Sequence, residues 1–214
     1  IRGGLCQAIV INSGCANACT GKEGIEDARE VGRVAAHCLG IAEETVLLAS
    51  TGLIGIRLPV EKISRAIRKF VPHLVPSGLM DAARAIMTTD TFPKVAWKKT
   101  RNFTIAGIAK GAGMIHPKMA TMLCFILTDA ALGKKTLDQA LRHSVDRSFN
   151  QITVDGDTST NDTVLVMASG LHPVGKKGIR GFQDSLDEVA SRLAEMIVEA
   201  VSYTHLRAHE TVLD

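Results

Sequence analysis

Aromatic side chains supply only 4% of the 214 residues, with a single Trp and a single Tyr. A core of this composition must be built from Ala, Val, Ile, Leu and Met. No basic stripe alternates with aromatics, and 25 basic residues against 22 acidic ones leave a net charge of only +3, so nucleic acid is not an expected partner. No run approaches the roughly 18 apolar residues a membrane-spanning helix needs, so no membrane partner is expected. The five cysteines (Cys6, Cys15, Cys19, Cys38 and Cys124) are odd in number and contain no C-x-x-C pair, which argues against a disulfide framework or a zinc site and for a reducing, cytoplasmic compartment. There is no initiating Met and no signal-peptide order of charged then apolar residues; so abrupt a start leads us to expect that upstream sequence is missing.

What is present alternates between strand and helix patterns. "LCQAIVI" (5–11) and "TVLLAS" (45–50) are short apolar runs closed by glycine turns, and they read as buried strands. Between them Ile25, Ala28, Val31, Val34, Ala35 and Cys38 recur at helical spacing. Pro59 opens a second helix, and "SGLMDAARAIM" reads as a third. A strand pair is predicted around the "KTRN" turn, followed by the run "TMLCFILTDA" (121–130). Thr136 with Gln139, and Ser185 with Glu188, have capping-box spacing and predict two further helix starts. Between those helices "QITV" and "TVLVMAS" read as strands around the polar loop "DGDTSTND". The irregular order predicts α/β or α+β layers and not an all-parallel doubly wound sheet.

Four stretches can carry chemistry. "KGAGMIHPKMATML" (110–123) places a flexible, glycine-containing loop directly before an apolar strand, with a hydroxyl at the junction. The ordinary reading is a turn into the core. The chemical one is a cut at Ala120-Thr121, after which Thr121 would carry both a nucleophilic hydroxyl and its own α-amino base. "STGLIG" (50–55) offers the Thr51 hydroxyl and the Gly52 N–H as oxyanion donors, or else is simply a turn. "TTDTFPK" (88–94) adds Thr88, Thr89, Asp90 and Lys94, and reads by default as an Asp/Thr-capped turn. "DGDTSTND" (155–162) competes as the D-x-D loop of a Mg²⁺-dependent phosphotransferase, with Asp155 as nucleophile and Asp157 as proton carrier. Ser159 stands where that motif wants Thr, and Thr160 excludes an EF-hand loop.

Taken in order and spacing, "INSGCANACTG", "STGLIG", "TTDTFPK", "KGAGMIHPKMATML" and "SFNQITVDGDTSTNDT" resemble the ornithine acetyltransferase (bifunctional glutamate N-acetyltransferase) family of arginine biosynthesis, across nearly all of residues 1–199. The resemblance implies an αββα layered sandwich shared with self-processing aminopeptidases of the DmpA type. It implies self-cleavage between Ala120 and Thr121, giving an α chain over 1–120 and a β chain from 121. Thr121 would take acetyl from N-acetylornithine and pass it to glutamate in ping-pong order, with no cofactor, although acetyl-CoA serves some members as a co-substrate. Thr51 and Gly52 would form the oxyanion hole, and Lys110 with Thr88 or Thr89, of which Thr89 is favoured, would hold the substrate. The assembly implied is a dimer of αβ units.

Three departures qualify these expectations. Lys118 and Cys15 each occupy a place where the family favours Asn. The family pattern continues past "EMIVE" into an acidic segment, so an internal fragment truncated at both ends is expected, with the β part covering 121–199. Residues 200–214 include "SYTHLRAHET", which resembles a translated sequencing adapter, and are expected to be a non-native tail. Such a fragment, without activity of its own, is the alternative reading from outside enzymology.

Overall fold

The computed structural model describes residues 4–113, 122–153 and 159–210, with the backbone alone at residues 176 and 201–210. It divides into two compact units, Ile1–Leu79 and Met80–Asp214. The class is mixed α/β, as the alternation of patterns predicts.

In the first unit, β1 (Ala8–Cys15) and β2 (Val46–Leu53) form a two-stranded parallel sheet. The crossover between them is α1 (Gly21–Leu39), which buries Val31, Val34, Ala35 and Ala36 on one face. Gly40 ends α1 in the left-handed region at φ 67°, and the Ile41 N–H returns to the Ala36 carbonyl at 3.1 Å, the reversal that glycine permits after a helix. Arg57 then clamps the segment after β2 onto α1. Its guanidinium donates to both Asp27 carboxylate oxygens, at 2.7 and 2.8 Å, and to Glu23 at 3.0 Å. Helix α2 (Val60–Phe70) follows Pro59 as predicted and packs on α1.

The second unit is built on a four-stranded sheet in the order β3-β4-β5-β6: β3 (Lys94–Lys99), β4 (Thr104–Lys110), β5 (Leu123–Ala131) and β6 (Thr163–Pro173). The β3-β4 and β4-β5 pairs are antiparallel, and β5-β6 is parallel. Strand β5 is nearly continuous apolar sequence because it is central, flanked by β4 and β6. The sheet is covered by α5 (Ile179–Glu210), which lies on β3 and β4, with α4 (Lys134–Arg147) against it. Gly107 makes that approach possible, since a Cβ there would sit 2.8 Å from Leu193 Cδ1. Phe103 meets Phe182 edge-on at 5.5 Å within the same core. Each fully buried side chain of this set, such as Leu193 or Ile197, contributes roughly 1.5–3 kcal/mol relative to exposure. A short helix, α3 (Leu79–Ala85), precedes β3.

Several expectations are corrected. Neither capping box starts a helix. α4 begins after Gly133, and Ser185 lies inside α5, where its hydroxyl donates to the Gly181 carbonyl at 2.7 Å. "QITV" is not a strand where it is described: Phe149–Gln151 form a single 3₁₀ turn with Phe149 buried. Separately, the backbone of α5 runs on to Glu210, with no Gly or Pro after Gly181 in it.

Candidate active site

In the first unit the parallel register sets Ser13 beside Thr51 and Gly14 beside Gly52. Gly52 sits at φ 134°, and a Cβ on it would fall 2.2 Å from the Gly14 carbonyl carbon, so no other residue fits this place near the end of β2. The Thr51 side chain is 1% exposed, and its Oγ1 has no hydrogen-bond partner among the described residues. A buried hydroxyl in that state ordinarily costs about 1–3 kcal/mol, so it calls for a use. The segment leaving the turn is pinned: Ala16 N–H donates to Leu53 O at 3.0 Å, Gly55 N–H to Ala18 O at 2.8 Å, and Cys15 Sγ–H to Ile56 O at 3.2 Å. Cys15, where the family favours Asn, thus holds this loop.

In the second unit the strand pairings bring Lys94, Lys110, Leu123 and Thr163 to one end of the sheet. Lys94 opens β3 opposite Ala109, Lys110 closes β4 opposite Leu123, and Leu123 opens β5 beside Thr163. Lys110 is 4% exposed and donates from Nζ to Thr88 Oγ1 at 2.8 Å. Lys94 is fully buried and donates to Asp90 Oδ1 at 2.6 Å, with its ammonium 5.2 Å from the Phe92 ring centroid. Asp90 also accepts the Gly111 N–H at 2.8 Å and the Thr88 N–H at 3.1 Å. Burial pushes the Asp90 carboxyl up, but the bonds from Gly111 and Lys94 outweigh it and hold the group below its ordinary value. Burial lowers the Lys110 ammonium, with Asp90 opposing. Two ammonium groups with one carboxylate make this corner receptive to an anion.

Of the residues singled out from the sequence, Thr51 and Gly52 lie together in the first unit, and Lys110 and Thr88 together in the second. Thr89 is exposed and follows Thr88; the bond from Lys110 goes to Thr88. Ala120, Thr121 and Lys118, like Asp155 and Asp157, lie outside the described residues. Asp90 proves more than a turn cap, since it fastens both Lys94 and the first residue of the loop after β4. Asp162 was not singled out at all: its Oδ1 accepts the Met122 N–H at 2.8 Å. The signal for it was its place immediately before an apolar strand parallel to the one that begins after Thr121. A cleft of about 710 Å³ beside Arg57 and Pro59 contains none of these residues. Among the described residues, no group of three or more His, Cys, Asp or Glu is placed to hold a metal ion, and no helix is long and apolar enough to cross a membrane.

The model of the ArgJ family matches residues 1–202. The chain belongs to the ArgJ family. It is 54% identical over 200 residues to the arginine biosynthesis bifunctional protein ArgJ of Symbiobacterium thermophilum, covering 89% of this chain and 50% of that protein. The ArgJ protein of Geobacter sulfurreducens is 51% identical over 205 residues, covering 92% and 52%. Among solved structures, the ornithine acetyltransferase of Mycobacterium tuberculosis complexed with ornithine is 39% identical with a TM-score of 0.49, covering 51% of this chain and 61% of that one. The chain spans about half the length of the ArgJ relatives it matches. Family membership accounts for the order of the motifs, and it sets the phosphotransferase reading of the D-x-D loop aside.

Proposed function

We propose that this ArgJ-family chain carries the core of a self-cleaving acetyltransferase, which moves acetyl from N-acetylornithine to glutamate through an acetyl-threonine at Thr121. The observation that carries the reading is the buried Lys110 ammonium, bonded to Thr88 and set by register opposite Leu123, two residues past Thr121. A cation there suits the α-carboxylate of an amino-acid substrate and holds it beside the start of β5. Thr51 Oγ–H and Gly52 N–H act as oxyanion donors, and the Thr51 hydroxyl has no bond among the described residues to give up.

In the first half-reaction Thr121 Oγ attacks the acetyl carbonyl, its α-amino group takes the proton, and ornithine leaves. In the second, the amine of glutamate attacks the acetyl ester and Thr121 is regenerated. Acetyl-CoA serves as a second donor at the same nucleophile. The working assembly is α and β chains of one precursor, paired as a dimer of αβ units in the cytoplasm.

The test is a denaturing gel with intact mass on the 214-residue chain and its Thr121→Ala variant. Cleavage should give pieces 1–120 and 121–214, the latter beginning Thr-Met-Leu-Cys, and the variant should stay whole. In a chain lengthened to the relatives' span, the same variant should release no ornithine. A Thr121→Ala chain that still cleaves between Ala120 and Thr121 would sink the reading.

A further inference from the structure

Asp90 has no part in the mechanism above, yet its bonds enclose the corner where Lys110 stands. Its carboxylate and the Lys94 ammonium it meets are both fully buried. Residues 86–93 belong to no helix or strand, since α3 ends at Ala85 and β3 begins at Lys94, so no regular ladder fixes Thr88. Asp90 Oδ2 does so instead, by accepting the Thr88 N–H at 3.1 Å. Oδ1 accepts the Gly111 N–H at 2.8 Å and the Lys94 ammonium at 2.6 Å. One carboxylate thus holds the backbone of Thr88 and of the residue directly after Lys110. These are the two ends of the 2.8 Å bond from Lys110 Nζ to Thr88 Oγ1.

The same carboxylate bears on the charge of Lys110. Burial strips the ammonium of hydration and favours the neutral amine. Among the described residues two charged groups act on it: Asp90, which favours the ammonium, and Lys94, which opposes it more weakly. Lys94 is tied to Asp90, whereas Lys110 Nζ has Thr88 as its one hydrogen-bond partner among the described residues. Thr88 is exposed, so the bond to it marks the side from which a ligand reaches the ammonium. The remaining N–H groups of Lys110 and the proton of the Thr88 hydroxyl are the donors an anion can use there.

We propose that Asp90 is the positioning residue of the substrate-carboxylate site, holding the Lys110 ammonium against Thr88 and supplying its counter-charge without touching the substrate. The inference rests on the reading of Lys110 as the cation that takes the α-carboxylate. Both oxygens of residue 90 must accept, which only an ionised carboxylate allows. Asn would offer one oxygen and turn its amide N–H toward the backbone N–H of either Gly111 or Thr88. Replacing Asp90 therefore acts twice: it loosens Thr88, and it lets Lys110 lose its proton at lower pH.

The first arm of the test reads Lys110 in the 214-residue chain with no ligand. Lysine amines are acetylated with a trace of acetic anhydride over a series of pH values, and mass spectrometry resolves the label at each lysine; only the neutral amine reacts. In Asp90→Asn the labelling of Lys110 should rise at lower pH than in wild type. Asp90→Asn/Lys94→Met should fall between the two, because it also removes the weaker opposing charge, and it takes the place of the single variant if that one does not fold. The second arm measures the affinity of the lengthened chain for N-acetylornithine by calorimetry. Asp90→Asn should weaken it about 10- to 100-fold, the worth of one hydrogen bond to a charged group, and Lys110→Met should weaken it at least as much. A merely structural role would reduce the number of binding sites per chain and leave both the affinity and the labelling pH where they were. Labelling at the wild-type pH, or wild-type affinity, in a folded Asp90 variant overturns the proposal and leaves the Lys110 reading standing. Wild-type affinity in Lys110→Met, or no binding by the unaltered lengthened chain, removes that reading and the proposal with it.

Discussion

Two carboxylates of the second unit sit among the same strands and are treated in opposite ways. Asp90 is answered on every side: Lys94 and Gly111 bond Oδ1, and the Thr88 N–H bonds Oδ2. Among the described residues Asp162 is answered on one oxygen only, and its other oxygen is buried with no partner there. A satisfied buried charge fixes geometry, because moving it costs several bonds at once. A half-satisfied one remains available, and the protein tolerates its cost. Thr51 in the first unit belongs with Asp162 in this respect, since its hydroxyl also has no bond among the described residues to lose.

The sharpest way to break the comparison is to open the closed corner. Asp90→Asn should destabilise the chain by about 3–5 kcal/mol, the usual cost of leaving one member of a buried pair alone, measured by urea unfolding. Adding Lys94→Met should recover most of that loss. A single variant within about 0.5 kcal/mol of wild type, the range of an ordinary surface change, would mean that Asp90 does not hold this corner together.

The open group in the first unit should behave inversely. Thr51→Ala should unfold like wild type while a lengthened chain loses about 10²- to 10³-fold in turnover, the effect of removing one oxyanion donor. Loss of stability without loss of turnover would place Thr51 with the structural groups.

The smallest effect is in pH, and there the two carboxylates differ in sign. The Asp90 carboxyl lies below its ordinary value of 3.8, so its stabilisation is present above that value and is lost as the pH falls through the folded-state value. The Asp162 carboxyl is raised from 3.8 to about 6, so folding binds a proton there, and its contribution is lost as the pH rises through that window. Against Asp162→Asn, the wild-type chain should therefore weaken between about pH 4 and 6 and then level off. A flat difference across that range would show that Asp162 is not perturbed by the fold.

How far the sequence foretold this arrangement depends on the scale of the signal. The runs that became β2 and β5, and the periodicity of α1, were legible because burial on a sheet or along one helix face imposes a repeat on the residues themselves. The capping boxes misled because a local pattern competes with packing: buried Phe182 draws the first turn of α5 into the core, three residues ahead of Ser185. In "QITV", the neighbouring Ser148 hydroxyl turns back to the Ser144 carbonyl at 2.6 Å, and the chain winds into a turn where strand had been expected. Of the site, Thr51, Gly52, Thr88 and Lys110 were visible through family motifs. The full role of Asp90 and the whole of Asp162 were not, because each depends on a partner brought across by register, 21 residues away for Gly111 and 40 for Met122.

The register between β4 and β5 has one more consequence. Six residue pairs, from Ile105 with Thr128 to Lys110 with Leu123, join a strand that precedes Ala120-Thr121 to one that follows it. Phe103 on the early side meets Phe182 on the late side in the same core, and Leu193 lies where Gly107 leaves room. A break at the junction would therefore sever one covalent bond and leave this seam intact. Two polypeptides would remain joined through this sheet, travelling as one species through a sizing column and parting only in denaturant.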